Sequence, residues 1–329
     1  MRILVVGGAG YIGSQMVKIL IAAGHETWTL DNLSSGRREA VLGGHWIEGD
    51  LADRGLLDRV LAAQRPDGVM HFASLIQVGE SIRAPGRYYR NNVVATLNLL
   101  DAMVQHRVGR FIFSSSAAVF GEPRYVPLDE AHPKEPINPY GRTKWMVEQI
   151  LADYDRAHAL KSVSLRYFNA AGADPEGQLG ETHDPETHLI PLVLQAASRR
   201  RADVTVFGDD YATPDGTCIR DYVHVEDLAQ AHLLALEYLA AGGNSTAYNL
   251  GNGDGYSVRQ VIVAAEGITG KRIPVRMAVR REGDPARLVA DSMRIRRELG
   301  WAPRHDDLPT IIRHAWNWER RCAAAVAAD

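Results

Sequence analysis

Tyr140 and Lys144 are the residues of this chain best spaced for acid–base chemistry. In Tyr140-Gly-Arg-Thr-Lys144 they stand four positions apart, which puts both side chains on one face of a helix. A free phenol has a pKa of about 10, so a tyrosine that moves protons near neutrality needs its phenolate stabilised. Bringing it to about 7 takes roughly 4 kcal/mol of differential stabilisation. An ammonium group one turn away supplies part of that, and a positively charged cofactor ring would add to it. On a solvated helix such a pair is a surface contact. Here it follows a strand-like run that ends in Ser114-Ser115-Ser116. Ser116 lies twenty-four residues before Tyr140, just past the strand end, where its hydroxyl could orient a reacting hydroxyl and share the proton path. Ser114 and Ser115 suit loop hydrogen bonds.

Positioning these groups requires a scaffold, and the apolar patterning describes one. Ile3–Val6, Glu26–Leu30, His45–Gly49, Gly68–Phe72, Arg110–Ser114 and Ser162–Tyr167 read as strands. Helical spacing appears at Ile12–Ala23, Asn92–His106 and Tyr140–Ala159. This alternation predicts an α/β fold, a doubly wound parallel sheet of Rossmann type with helices on both faces. Ligands on such sheets lie at the carboxyl ends of the strands.

The first strand runs into Gly7-Gly8-Ala9-Gly10-Tyr11-Ile12-Gly13, with glycines at 7, 10 and 13. Missing side chains there allow a tight turn and close backbone approach to a diphosphate, whose charge the helix N-terminus stabilises. Asp31 ends the second strand, eighteen positions beyond Gly13. A carboxylate there accepts from both ribose hydroxyls and repels a 2′-phosphate, which points to NAD, although Arg37 and Arg38 leave NADP open. Asp50-Leu51 closes the third strand and could meet the adenine ring. Residues 1–169 are therefore expected to form the NAD-binding domain. From about Ala170 onward, loops rich in Gly, Pro and Asp mark 170–329 as mostly a smaller substrate-binding part. Segments near 223–251 are expected to return to the main sheet.

A net charge of -3 over 329 residues gives no reason to expect nucleic acid or an acidic membrane as partner. Only Cys218 and Cys322 are present, with no metal-ligand spacing, which suits a reducing compartment. The chain starts directly on an apolar strand, and the apolar stretch Leu228–Ala241 is too short for a bilayer. The expectation is a soluble, cytoplasmic protein. His183 and His188 share the loop His-Asp-Pro-Glu-Thr-His, but no third ligand is apparent and no metal is expected. Trp316 and Trp318 read as helix packing.

Over nearly its whole length the sequence resembles the extended short-chain dehydrogenases/reductases, and among them the UDP-glucose 4-epimerases. The resemblance rests on Gly7–Gly13, Asp31-Asn32-Leu33, His71-Phe-Ala-Ser74, Val78-Gly-Glu-Ser81 and Tyr88-Tyr-Arg-Asn91-Asn92-Val93. It continues through Ser114-Ser-Ser116, Asn138-Pro-Tyr140 with Lys144, Leu165-Arg-Tyr-Phe-Asn169, Gly216-Thr-Cys-Ile-Arg220-Asp-Tyr222 and Arg280-Arg281-Glu-Gly-Asp284. The later motifs are the more specific to epimerases.

The resemblance implies that Tyr140 removes the proton from the sugar 4-hydroxyl while carbon 4 gives hydride to a tightly bound NAD. The 4-keto sugar then rotates and takes hydride back on its other face. It further implies that Lys144 holds the nicotinamide ribose and that Ser116 binds the sugar oxygen. Tyr11, Ile12, Asn32, Phe72, Ala73, Ser74, Ile76, Asn91, Ser114 and Phe168 would line the cofactor. Arg220, Arg281 and Asn169 would hold the diphosphate, Asp284 the uridine ribose, and Leu189 and Phe207 would border the uracil. It also implies a homodimer through helices at 92–106 and 141–158.

Three positions depart from the family pattern. Phe120 replaces a usual tyrosine, Ile76 stands where some members carry lysine, and Leu288 falls about where some carry a bulky tyrosine. The last suggests some tolerance of N-acetylated sugars. A 4,6-dehydratase would need an Asp-Glu pair after Ser116, whereas Ala117-Ala118 follows. A UDP-pentose epimerase would use the same site, and a non-catalytic relative would have lost Tyr140 or Lys144.

Overall fold

Arg2–Val6 (β1) is an apolar run in which Ile3 and Val5 enter one hydrophobic layer, while Leu4 and Val6 enter another. Burial on both faces explains why the strand is apolar throughout instead of alternating. The computed structural model, which describes residues 1–281 and 284–326, places β1 near the middle of a seven-stranded sheet. Its other strands are Glu26–Asp31 (β2), His45–Glu48 (β3), Gly68–His71 (β4), Arg110–Ser116 (β5), Lys161–Tyr167 (β6) and Thr246–Leu250. The order is Thr246–Leu250, β6, β5, β4, β1, β2, β3, and every pairing is parallel. The direction of winding reverses between β4 and β1, where a crevice forms at the carboxyl ends of the strands.

One layer packs the helix Tyr11–Ala22 (α1) against Val225–Ala240, through Met16, Val17 and Leu20 on the first and Leu228, Ala231 and Leu236 on the second. The opposite layer gathers Leu57, Leu61, Leu99, Met103, Phe111, Phe113, Val147 and Leu151. A third core joins Leu189–Ala197, Val258–Thr269 and the C-terminal helix through Val193, Leu194, Val261, Ile262, Ile311 and Ile312. Short strands attach to it. Val275–Ala278 pairs with Val204–Phe207, and Tyr256–Ser257 and Arg287–Leu288 flank Ile219–Arg220.

Several boundaries differ from those read in the sequence. β5 continues through Ser115 and Ser116, because these pair with Arg166 and Tyr167 of β6, so Ser116 is the last strand residue instead of lying beyond it. The helix expected at 92–106 is entered earlier. Pro85 opens a helical turn, Tyr89–Val94 forms a π-helical segment, and regular α-helix runs only over Ala95–Gln105. The helix of Tyr140 spans Pro139–His158 and stops where Ala159 adopts a left-handed conformation, φ 54°. Among the described residues no helix is long and apolar enough to cross a membrane.

Candidate active site

Asn138 caps the helix Pro139–His158 by accepting a hydrogen bond from the Gly141 amide at 2.8 Å, with Pro139 in the first turn. That start fixes the rotation of the helix, and Tyr140 and Lys144 both face inward, 8% and 2% exposed. Lys144 Nζ donates to Ser74 Oγ at 2.8 Å and to the Ser114 carbonyl at 2.7 Å, tying the end of β4 to β5. Burial pushes its pKa down to about 7, and attraction to Glu148 works the other way. Tyr140 accompanies Ser116 at the end of β5. Burial raises the phenol above its ordinary value, and the hydrogen bond with Ser116 pulls it down.

Lys144 sits beside the Tyr140 ring. Nζ lies 5.9 Å from the Tyr140 ring centroid and is committed to Ser74 and Ser114. In the protein alone, desolvation outweighs the Ser116 hydrogen bond. A further positive charge in the crevice is needed to bring Tyr140 toward neutrality.

Each serine of the Ser114–Ser116 run has a separate partner. Ser116 Oγ accepts from the Ala118 amide at 3.1 Å, which starts the short turn Ala117–Val119. Ser115 Oγ donates to Glu148 at 2.5 Å, and Arg166 forks onto the same carboxylate from β6. Ser114 Oγ is 3.2 Å from His232 Nε2, while His232 Nδ1 lies 2.8 Å from the Leu228 carbonyl. Burial lowers His232 to about 4, so the ring is neutral. Nδ1 then carries the proton toward Leu228, and Ser114 donates to Nε2.

Sequence reasoning assigned Asn92 no role, yet it organises this end of the cleft. Its Oδ1 accepts from the Leu75 amide at 2.9 Å, and its Nδ2 donates to the Leu75 carbonyl at 3.0 Å and to Thr143 Oγ1 at 3.1 Å. Thr143 in turn donates to the Tyr140 carbonyl at 2.7 Å. One buried amide thus fixes the loop after β4 to the turn that carries Tyr140 and Lys144. The available signal was a polar residue inside an apolar helical pattern.

The glycine loop forms a cradle with no room for side chains. Gly7 has φ 77°, and a Cβ there would lie 2.4 Å from the Ala73 amide nitrogen; one on Gly13 would lie 2.2 Å from the Gly7 carbonyl. Gly10 caps α1 without any side-chain hydrogen bond, so the helix N-terminus is left to an anion. Asp31 is buried at the end of β2, where it accepts from the Ala9 and Leu33 amides, each at 2.9 Å. Asn32 Nδ2 donates to Asp50 at 2.7 Å, whereas the Leu51 side chain is buried in the second hydrophobic layer. Tyr11 donates to the Gly172 carbonyl at 2.7 Å, Ile12 packs on the first layer and Phe72 lies 4.9 Å from His232. Asn91 donates to Asn92 at 3.0 Å.

Across the cleft, Arg220 and Arg281 converge on Asp284, at 3.2 and 2.9 Å. Arg281 lies 4.8 Å over the Phe207 ring, and Arg220 also donates to the Pro285 carbonyl at 2.8 Å. Asn169 gives its side-chain amide to the Asp221 carbonyl at 2.9 Å. The Asp221 carboxylate, also missed from sequence, accepts from the amides of Asn252 at 2.8 Å and of Gly253 and Ala290 at 3.1 Å each. It holds two distant segments, Asn252-Gly253 and Ala290, behind Arg220. Leu189 begins its helix against the third core. Phe168 and Leu288 pack with the fully buried Phe120, so the ring lacking a hydroxyl sits among apolar neighbours. Ile76 is 39% exposed.

Around His183 and His188, for which the sequence made no third partner apparent, Glu181 and Glu186 turn toward both rings. Trp318 packs its ring on Gly180 and donates to the Glu181 carbonyl at 3.0 Å.

Comparison with known proteins agrees with this geometry. The UDP-glucose 4-epimerase of Rhizobium leguminosarum bv. trifolii is 53% identical over 97% of this chain and 97% of its own. That of Rhizobium meliloti (strain 1021) is 51% identical with the same coverage. Among solved structures, UDP-glucose 4-epimerase from Brucella ovis in complex with NAD superposes with a TM-score of 0.94 at 50% identity, covering 96% of this chain and 97% of that one. The enzyme from Stenotrophomonas maltophila, with NAD and formylated UDP-arabinopyranose, gives 0.95 at 40% identity, covering 99% of each chain. Residues 3–251, which carry the glycine cradle, the Tyr140–Lys144 helix and the end of the parallel sheet, match the NAD dependent epimerase/dehydratase family, and the chain belongs to it.

Proposed function

We propose that this protein is a UDP-glucose 4-epimerase, interconverting UDP-glucose and UDP-galactose with NAD as a retained cofactor. The observation that carries the reading is the inward-facing set of Tyr140, Ser116 and Lys144 at the strand ends beside the glycine cradle. The cradle fits NAD on two counts: a turn so tight that a Cβ at Gly7 or Gly13 would strike neighbouring backbone, and the uncapped N-terminus of α1. Bound NAD supplies a reversible hydride acceptor and a positive charge.

The chain supplies the rest. Gly7, Gly10 and Gly13 take the diphosphate of the cofactor, Asp31 its ribose, and Asn32, Asp50 and Leu51 the adenine end. Tyr11, Ile12, Phe72, Ala73, Ser74, Asn91, Ser114 and Phe168 complete its lining. Lys144 holds the nicotinamide ribose. Tyr140 accepts the proton of the sugar 4-hydroxyl and returns it after the 4-keto sugar has turned over, while Ser116 orients that oxygen. Arg220, Arg281 and Asn169 bind the sugar nucleotide's diphosphate, with guanidinium forks suited to phosphate oxygens. Asp284 takes the uridine ribose, and Leu189 and Phe207 border the uracil. Residues 1–169, with the helix Val225–Ala240 and the strand Thr246–Leu250, form the cofactor domain, and most of 170–329 forms the substrate domain.

Full-length likeness to UDP-glucose 4-epimerases favours a hexose over a pentose as the preferred sugar. The assembly is a homodimer in the cytoplasm. Exposed apolar side chains on the two helical segments that would pair, Val94 at 50% and Met146 at 41%, support the dimer. Incubating purified protein with UDP-galactose, without added NAD, should yield UDP-glucose. No conversion with or without NAD would refute the reading.

A further inference from the structure

Between the strand Asn169–Ala171 and the helix Leu189–Ala197 the chain passes beside the cofactor loop in one long connection. Four of its side chains turn to a single point: Glu181, His183, Glu186 and His188 each bring a ligand atom to within 4.8 Å of the others. Both histidines face the point through Nδ1. His183 Nδ1 lies 2.8 Å from Glu181 Oε1 and 3.9 Å from Glu186 Oε2. His188 Nδ1 contacts the same Glu181 oxygen and stands 3.4 Å from Glu186 Oε1.

The two glutamate side chains are each only 5% exposed. Carboxylates held together out of water destabilise the fold unless a cation sits between them. Among the described residues no lysine or arginine forms an ion pair with either one; their only such partners are the two histidines. The cluster is also braced from outside. Trp318 donates to the Glu181 carbonyl at 3.0 Å, and Glu186 Oε1 accepts from the amides of Thr187 at 2.7 Å and His188 at 2.8 Å. The edge of Tyr11 meets the His183 ring at a centroid distance of 6.4 Å.

We propose that these four residues form a structural binding site for one zinc-type divalent transition-metal ion, ligated by Nδ1 of His183 and His188 and by the carboxylates of Glu181 and Glu186. Two imidazole nitrogens with two carboxylates make a closed tetrahedral set, and two nitrogen ligands disfavour the hard ions magnesium and calcium. Bonds of about 2.0–2.2 Å place tetrahedral ligand atoms about 3.4 Å apart, so the atoms now at 2.8 and 3.9 Å need to move by about half an ångström and the closer His188–Glu181 pair by about twice that. A dication balances both carboxylates while both imidazoles stay neutral. With all four positions taken by protein, the ion has no open site for chemistry. Its role is to fix residues 181–188 against Tyr11 and the cofactor loop.

The test uses the full-length protein, with any affinity tag removed, equilibrated with Zn²⁺ and desalted. Metal analysis should find about one zinc per chain, and the double variant His183→Gln/His188→Gln should retain less than a tenth of that. Zinc should raise the Tm of chelator-treated wild type by about 5 °C or more and leave the variant unmoved, while Mg²⁺ does neither. Because the variant could fail to fold, Co²⁺ is added to chelator-treated wild type as a second readout, and intense visible bands of tetrahedral cobalt are expected. Wild type that holds no stoichiometric zinc, shows no such bands and gains no Tm would overturn the proposal. The four side chains would then be a proton-sharing network only.

Discussion

Lys144 and Arg281 are both cationic side chains of the cleft, yet the chain prepares them in opposite ways. Lys144 stands on a helix, 2% exposed, and its donors already hold Ser74 and Ser114 in place. Arg281 lies in a loop with its side chain 58% exposed, sharing one carboxylate, Asp284, with Arg220. The catalytic side is held between the sheet and the helix Pro139–His158, where burial fixes each group before any ligand arrives. The diphosphate side is paired with itself, and the incoming phosphates must compete with Asp284 for its guanidinium groups. Substitutions on the first side should therefore act on kcat, and on the second side on KM.

Tyr140→Phe breaks this contrast most sharply. Without a proton acceptor, kcat for UDP-galactose should fall by about 10²–10⁴-fold with KM little changed. A KM effect of that size would mean that Tyr140 serves binding. Arg281→Met should do the reverse and raise KM about tenfold, as expected for one lost charge-assisted pair, with kcat within a factor of about three. Loss of kcat alone would erase the distinction between the two sides. Asn92→Leu strips the Leu75 amide and carbonyl of their buried partner, at about 1–3 kcal/mol. Its Tm should drop by several degrees and kcat should fall, with KM for the UDP-sugar unchanged. At the sugar end, Leu288→Tyr should reduce whatever turnover of UDP-N-acetylglucosamine the wild type shows by about tenfold or more, while sparing UDP-galactose. Wild type inactive on the N-acetylated sugar would refute the expected tolerance.

A further effect concerns pH. Lys144 is lowered to about 7 in the folded protein, below its ordinary 10.5, so from pH 7 upward the unfolded chain binds more protons than the folded one. Its contribution to stability then rises with pH between about 7 and 10. The buried Tyr140, raised above its ordinary value, opposes this only above pH 10, where the unfolded phenol ionises first. In cofactor-free protein, the Tm of wild type relative to Lys144→Met should therefore improve from pH 7 to 9.5. A flat difference would mean that Lys144 keeps its ordinary pKa.

How legible each region was follows from how local its chemistry is. Gly7, Gly10, Gly13, Tyr140 and Lys144 announce themselves by spacing, because one turn or one helical face fixes them. Six strands of the parallel sheet were readable from their apolar runs, whereas the seventh, Thr246–Leu250, was expected only as part of a segment near 223–251 returning to the sheet. Asn92 reaches Leu75 and Thr143 across 17 and 51 positions, so its role exists only in three dimensions. Asp221 likewise collects amides 31 to 69 positions away. The strands Ile219–Arg220, Tyr256–Ser257 and Arg287–Leu288 hold two residues each, too short for any periodicity. For Tyr140 the spacing correctly placed a lysine nearby but could not show that its donors were already engaged. The histidine loop hid its neighbours for a related reason: Glu181 precedes its motif, and only the folded chain turns Glu186 toward both rings.

Isotope retention tests the central claim most directly. UDP-galactose deuterated at sugar carbon 4 would be converted by catalytic amounts of the protein in ordinary water without added NAD. Hydride leaving and returning within one closed site predicts UDP-glucose that keeps its deuterium in full at carbon 4. Loss of the label to solvent, or conversion that starts only with free NAD, would contradict an epimerase that works on a retained cofactor.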